Sequence, residues 1–182
     1  MTPMHTLLLF FALASGGATQ TKPAVVTRAA IIATESNFDK RFEKLFPELP
    51  YLLLGNTRGV YLEGYGVVFS AEVNLIVAGG TPFRPKPTKE EALQYRQQKR
   101  TRIPVVVSGL RQAMLGAAQS LDTVPVDENV VFAVSLFQHS WEEMEGVPHQ
   151  LVLSASRKSL LQAQLTGNTP GALDQVVTVR EY

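Results

Sequence analysis

Hydrophobic and polar positions alternate most cleanly between Val67 and Val77. Val67, Phe69, Ala71, Val73, Leu75 and Val77 fall on one side, and Val68, Ser70, Glu72, Asn74 and Ile76 on the other. Side chains along a strand have a period of two, so this stretch has one apolar face to bury and one mostly polar face that can meet water. Its lead-in from Val60 carries Gly64 and Gly66 around Tyr65, which predicts a bulge or tight bend that re-aims the strand. The apolar run Tyr51–Leu54, closed by the turn residues of Gly55–Gly59, predicts a hairpin arm leading into it.

Elsewhere the spacing is helical. Phe38, Phe42, Leu45 and Phe46 recur at i, i+4, i+7 and i+8 behind the candidate caps Ser36 and Asn37, and Pro47 and Pro50 follow. This predicts a short amphipathic helix from Ser36, with Lys40, Arg41, Glu43 and Lys44 on its solvated side. Thr88 and Glu91 form a capping box that opens a polar helix running to Arg102. Pro104 then predicts a break and a second helix, Ile103–Leu121, which presents Val106, Leu110, Ala113, Met114, Ala117 and Leu121 to the core. Val130–Gln138 is apolar on both sides and reads as an interior strand, paired across a long loop with His149–Ala155. A short helix over Arg157–Leu165 and an edge strand over Leu173–Tyr182 complete the chain. Gln20–Thr34 fits either a short strand or a loose lead-in.

Together these elements predict a single α/β (α+β) domain in the order α-ββ-αα-ββ-α-β. The expected architecture is a two-layer sandwich, with a mixed, mostly antiparallel sheet and helices on one face. A three-layer αβα arrangement is the alternative, because the 130–138 strand wants cover on both sides.

The N-terminus refines the domain plan. Thr6–Ala14 is an unbroken apolar core followed by the small residues Ser15–Ala18, which predicts an export signal cleaved near Ala14 or Ala18. The plan is therefore a signal peptide over 1–18, a lead-in over 19–35 and one domain over 36–182, in a periplasmic or extracellular location. A core of that length covers about half of a ~30 Å hydrocarbon layer, so no transmembrane anchor is expected after cleavage.

Composition narrows the function classes. The 182 residues are 45% apolar and 18% charged, which is globular and not disordered. A net charge of +1 gives no overall pull toward nucleic acid, and no base-reading motif is present. With no cysteine, disulfides, thiolate metal sites and cysteine nucleophiles are excluded. The loop Gly55–Gly59 lacks the GxxxxGK[ST] pattern and Ser108 does not sit in a GxSxG elbow, so no cofactor and no catalytic residue is nominated.

Three sets of residues are candidates for binding. Arg84, Lys86, Lys89, Arg96, Lys99, Arg100 and Arg102 outnumber Glu90 and Glu91 in one segment; such a segment can meet an anionic polymer, lipid head groups or an acidic partner. His139, Glu142 and His149 flank or occupy one acidic loop and can in principle supply two imidazoles and a carboxylate to zinc, although HExxH is absent. Trp141 in that loop, and Tyr61 and Tyr65 beside the alternating strand, are candidate contacts for a protein partner. No Lys or Arg lies between Gln112 and Ser156, so this acidic loop facing the basic segment of another copy would give a homo-oligomer.

Gly64-Tyr-Gly-Val-Val-Phe69 with its alternating strand, and Asp127-Glu-Asn-Val-Val-Phe-Ala-Val134, resemble exported bacterial proteins of uncharacterised function. The resemblance implies export and hands over no catalytic residue. The leading expectation is a non-enzymatic domain that binds a protein or another component of the bacterial envelope. A metal-dependent hydrolase on His139, Glu142 and His149, or a binder of anionic polymer or lipid through residues 84–102, are the alternatives.

Overall fold

A computed structural model describes residues 25–46, 52–76, 86–142, 145–166 and 170–182. The proposed signal, the residues around Pro47 and Pro50, and Arg84 lie outside the described residues.

The first helix, α1, spans Arg28–Phe42 and is capped by Thr27, whose hydroxyl accepts from the Ala30 amide at 3.3 Å. It therefore starts well before the expected Ser36, and a domain boundary at 36 falls inside it. The reason is a second apolar turn that the phenylalanine pattern hides: Ile31, Thr34 and Glu35 are buried on the same stripe as Phe38 and Phe42.

The stretch expected to be one bent strand is a hairpin. After the short β1 (Leu52–Leu53), β2 (Arg58–Leu62) turns at Glu63–Tyr65 and returns antiparallel as β3 (Gly66–Asn74). Gly64 takes φ +76°, as such a turn requires. Glu128 pins the turn, accepting from the Gly64 amide at 3.0 Å and the Tyr61 hydroxyl at 3.2 Å. Partial burial, and then the hydrogen bond to Glu128 and its charge, hold the Tyr61 phenol above its ordinary range. A raised phenol pKa contributes stability below pH ~10 that is lost as pH climbs through the folded value. Tyr61→Phe should accordingly flatten the fall in urea midpoint above pH ~10; an unchanged slope would show that the phenol does not control it.

Helix α2 (Lys89–Ser120) is one continuous helix of 32 residues, not two. Its capping box is present in full: Thr88 accepts from Glu91 N, and Glu91 returns the bond to Thr88 N. Pro104 lies on the exposed side of the helix and does not interrupt it. There the carbonyl it leaves without a donor can be solvated, while Ile103, Val106 and Val107 on the other side stay buried.

Strands β4 (Asn129–Leu136) and β5 (Gln150–Ser156), helices α3 (Arg157–Leu165) and α4 (Pro170–Val176), and β6 (Thr178–Glu181) follow. The last strand is thus shorter than expected, since Pro170 opens a helix that carries Leu173 into the core. The six strands run β1-β3-β4-β5-β6, with β2 also paired to β3. Among the described residues only β3 and β4 pair in parallel, joined through α2, and the other pairs are antiparallel.

In-register Phe69, Phe132 and Leu153 lie on the covered face. Phe38 of α1 stacks on Phe132 with ring centroids 4.9 Å apart. Helices α2 and α3 pack on this same side through Leu110, Met114 and Leu160. On the other face Ser70 and Glu72 stay exposed, so the fold is the two-layer α/β sandwich. The apolar reverse side of β4 does not demand a third layer. Val131 is screened within the sheet by its register neighbours Val68 and Ser154, as happens in a central strand.

Candidate functional site

A concave site lies between α1 and α2. On α1, Asn37, Lys40 and Arg41 recur at i, i+3 and i+4 and so share one side, and Lys44 follows in the turn just past the helix end. On α2, Ala113, Gly116, Ala117 and Ser120 recur at i, i+3, i+4 and i+7. Small residues on one helix opposite long ones on the other leave a trough of about 510 Å³, floored by Phe38 and Phe132. That volume suits a small ligand. Its charged lining is of one sign: Lys40, Arg41 and Lys44 line it together with Thr34, Asn37, Gln119 and Ser120, and among the described residues no carboxylate does.

None of the three cations is ion-paired among the described residues, where the salt bridges are Arg28–Glu35, Arg96–Glu145, Lys99–Glu142 and Arg111–Asp174. Lys40 and Arg41 occupy the last turn of α1, where the helix dipole favours a cation by ~0.3–1 kcal/mol. The dipole accounts for their tolerance there; it does not account for the concavity they line. Chemically the trough offers ammonium, guanidinium and amide donors to an anion. The hydroxyl proton of Ser120 is already given to the Gly116 carbonyl at 2.9 Å.

The residues singled out in the sequence are dispersed. Of the basic segment, Lys86, Lys89 and Arg100 are exposed, and Arg96 sits 3.9 Å from Glu145. Lys99 is buried, bound to Glu142 and donating to the Phe137 carbonyl at 2.7 Å. Arg102 donates to the Leu75 carbonyl and lies 5.7 Å from the Phe46 ring centre, and burial pushes its guanidinium pKa down. Two of the expected surface cations thus cap backbone carbonyls just past β3 and β4.

His139, Glu142 and His149 are not brought together. The Glu142 carboxylate is held by Lys99, and His149 Nδ1 contacts the Gln138 amide. Among the described residues no group of three His, Cys, Asp or Glu side chains is placed to hold a metal. His139 instead stacks on Trp141 at 5.0 Å, with Tyr95 beyond it at 5.5 Å from Trp141, so Trp141 covers this end of the sheet. Tyr61 bonds to Glu128, and Tyr65 stays half exposed in the hairpin turn. No described helix is long and apolar enough to cross a membrane.

Sequence reading had placed Lys40, Arg41 and Lys44 on a solvated helix side. Only the packing of α1 against α2 turns these cations into the lining of a site. Compared with known proteins, the chain matches no family model, no curated protein and no solved structure.

Proposed function

We propose that this is an exported, non-enzymatic binding domain of the bacterial envelope that takes an anionic ligand in the trough between α1 and α2. The observation that carries the reading is the cavity itself: three cations without ion-pair partners around an aromatic and alanine floor, and no carboxylate among the lining residues. Export rests on the apolar core Thr6–Ala14 and the small residues after it. An anion in the trough faces the negative end of the α1 dipole, so its affinity depends on the cations more than on the helix.

Titration of the protein with inorganic phosphate at low ionic strength is the direct test. Binding should weaken as salt rises. Arg41→Ala and Lys44→Ala should each lower the affinity about tenfold, or ~1.4 kcal/mol, the lower end of what a hydrogen bond to a charged group is worth once exposure is allowed for. Lys89→Ala, exposed on a different part of the surface, should leave it unchanged. Absence of binding at low salt, or equal losses from all three substitutions, would sink the proposal. N-terminal sequencing of the envelope form tests export separately.

A further inference from the structure

A second cavity adjoins the first. It is lined by Leu45, Pro104, Val105, Ser108, Gly109 and Gln112, and it shares Arg41 and Lys44 with the trough. Its volume is about 670 Å³ and its lining is mainly apolar. Two packing details build it. Leu45 fills the space above Gly109, where a Cβ would stand 2.5 Å from the leucine Cδ2, so a leucine side chain forms part of the wall. Val105 is 43% exposed, an apolar side chain turned outward beside that wall. Between the two cavities the Arg41 guanidinium lies across α2, its Nη2 3.6 Å from where a Cβ on Gly116 would be.

Resting on the anion reading above, we infer that the ligand is an amphiphile: an anionic head held at Arg41 and Lys44, and one apolar chain laid along Leu45, Pro104 and Val105. Charge and apolar surface meet here because the two cavities share Arg41 and Lys44. A partner helix fits poorly, since Arg41 crosses the groove it would need to occupy. A bare anion leaves the apolar cavity wet and exposed Val105 without cover. The occupant is a single amphiphile taken from solution as a monomer, not a membrane surface.

The experiment compares inorganic phosphate with ethyl, butyl and octyl phosphate, all below micelle-forming concentrations, by calorimetric titration of the full chain. Each methylene that is buried should raise the affinity about fourfold, until the cavity is filled. Val105→Asn should cut that increment while leaving inorganic phosphate affinity unchanged, and Ser108→Val should enlarge it. Both positions are exposed, so neither change threatens the fold. Equal affinities for phosphate and octyl phosphate would overturn the amphiphile while leaving the anion site standing; no phosphate binding would remove the anion site itself. Binding to phosphatidylglycerol vesicles without binding to monomeric octyl phosphate would also overturn it, as would an increment that Val105→Asn leaves intact.

Discussion

Gly66→Ala is expected to leave the protein unfolded or insoluble. Gly66 opens β3 at φ +130°, a conformation that L side chains rarely adopt. A Cβ there would stand 2.0 Å from the Asn129 carbonyl oxygen and 2.5 Å from its amide nitrogen. Both are backbone atoms, so no rotamer change can make room. They belong to the register pair Gly66–Asn129 that starts the parallel pairing of β3 with β4. Relief requires β3 and β4 to separate at this end, which loses the Asn129 amide bond to the Tyr65 carbonyl at 2.9 Å and its side-chain partner at 3.1 Å. Backbone strain of ~1–3 kcal/mol and two lost hydrogen bonds of ~0.5–1.5 kcal/mol each approach the whole stability of a marginal domain. Gly64→Ala is the control: its φ is +76° but nothing lies within 4 Å of the added methyl, so only ~1 kcal/mol of conformational cost is expected. Urea unfolding of both variants decides the matter. A Gly66→Ala protein within about 1 kcal/mol of the parent would show that the strands can part there freely.

That contact also marks where sequence reading stops. The period of two identified β3 as the main strand, and the capping box located the start of α2 to the residue, because both signals are local. The hairpin turn was misjudged because Gly64 and Gly66 announce a positive φ without saying whether the chain bends or reverses; the decision is made by Glu128 and Asn129, more than sixty residues away. Pro104 does not end the helix because the burial of Ile103, Val106 and Val107 against the core offsets the ~3 kcal/mol that a proline costs a helix interior, and that packing is tertiary. The basic segment shows the same limit. Charge along the sequence counted Lys99 and Arg102 as surface cations, yet both reach inward to backbone carbonyls. The cations that do line a cavity, Lys40, Arg41 and Lys44, looked like an ordinary solvated side until α2 was set opposite them.

Lys99→Ala should destabilise the fold by ~3–5 kcal/mol, far more than any surface charge substitution. Its side chain is fully buried, and the Glu142 side chain is only 5% exposed. Removing the ammonium strands a buried carboxylate and takes the donor from the Phe137 carbonyl, and an uncompensated buried charge costs that order of energy. By contrast Arg111–Asp174, with 54% of the aspartate side chain exposed, is worth about 0–1 kcal/mol. The pair itself is not the source of stability, because Glu142 Oε1 has no partner and desolvation of both charges is large. Replacing both groups, Lys99→Met with Glu142→Leu, should therefore recover most of the loss and return the urea midpoint close to that of the parent. The cycle also guards the functional test. Lys99→Ala in a screen for anion binding will read as lost affinity when it is lost fold, whereas Arg41→Ala and Lys44→Ala remove exposed side chains and should unfold at the parent's midpoint. A double variant as unstable as Lys99→Ala would mean that the ion pair, and not its isolation, holds residues 137–142 against α2.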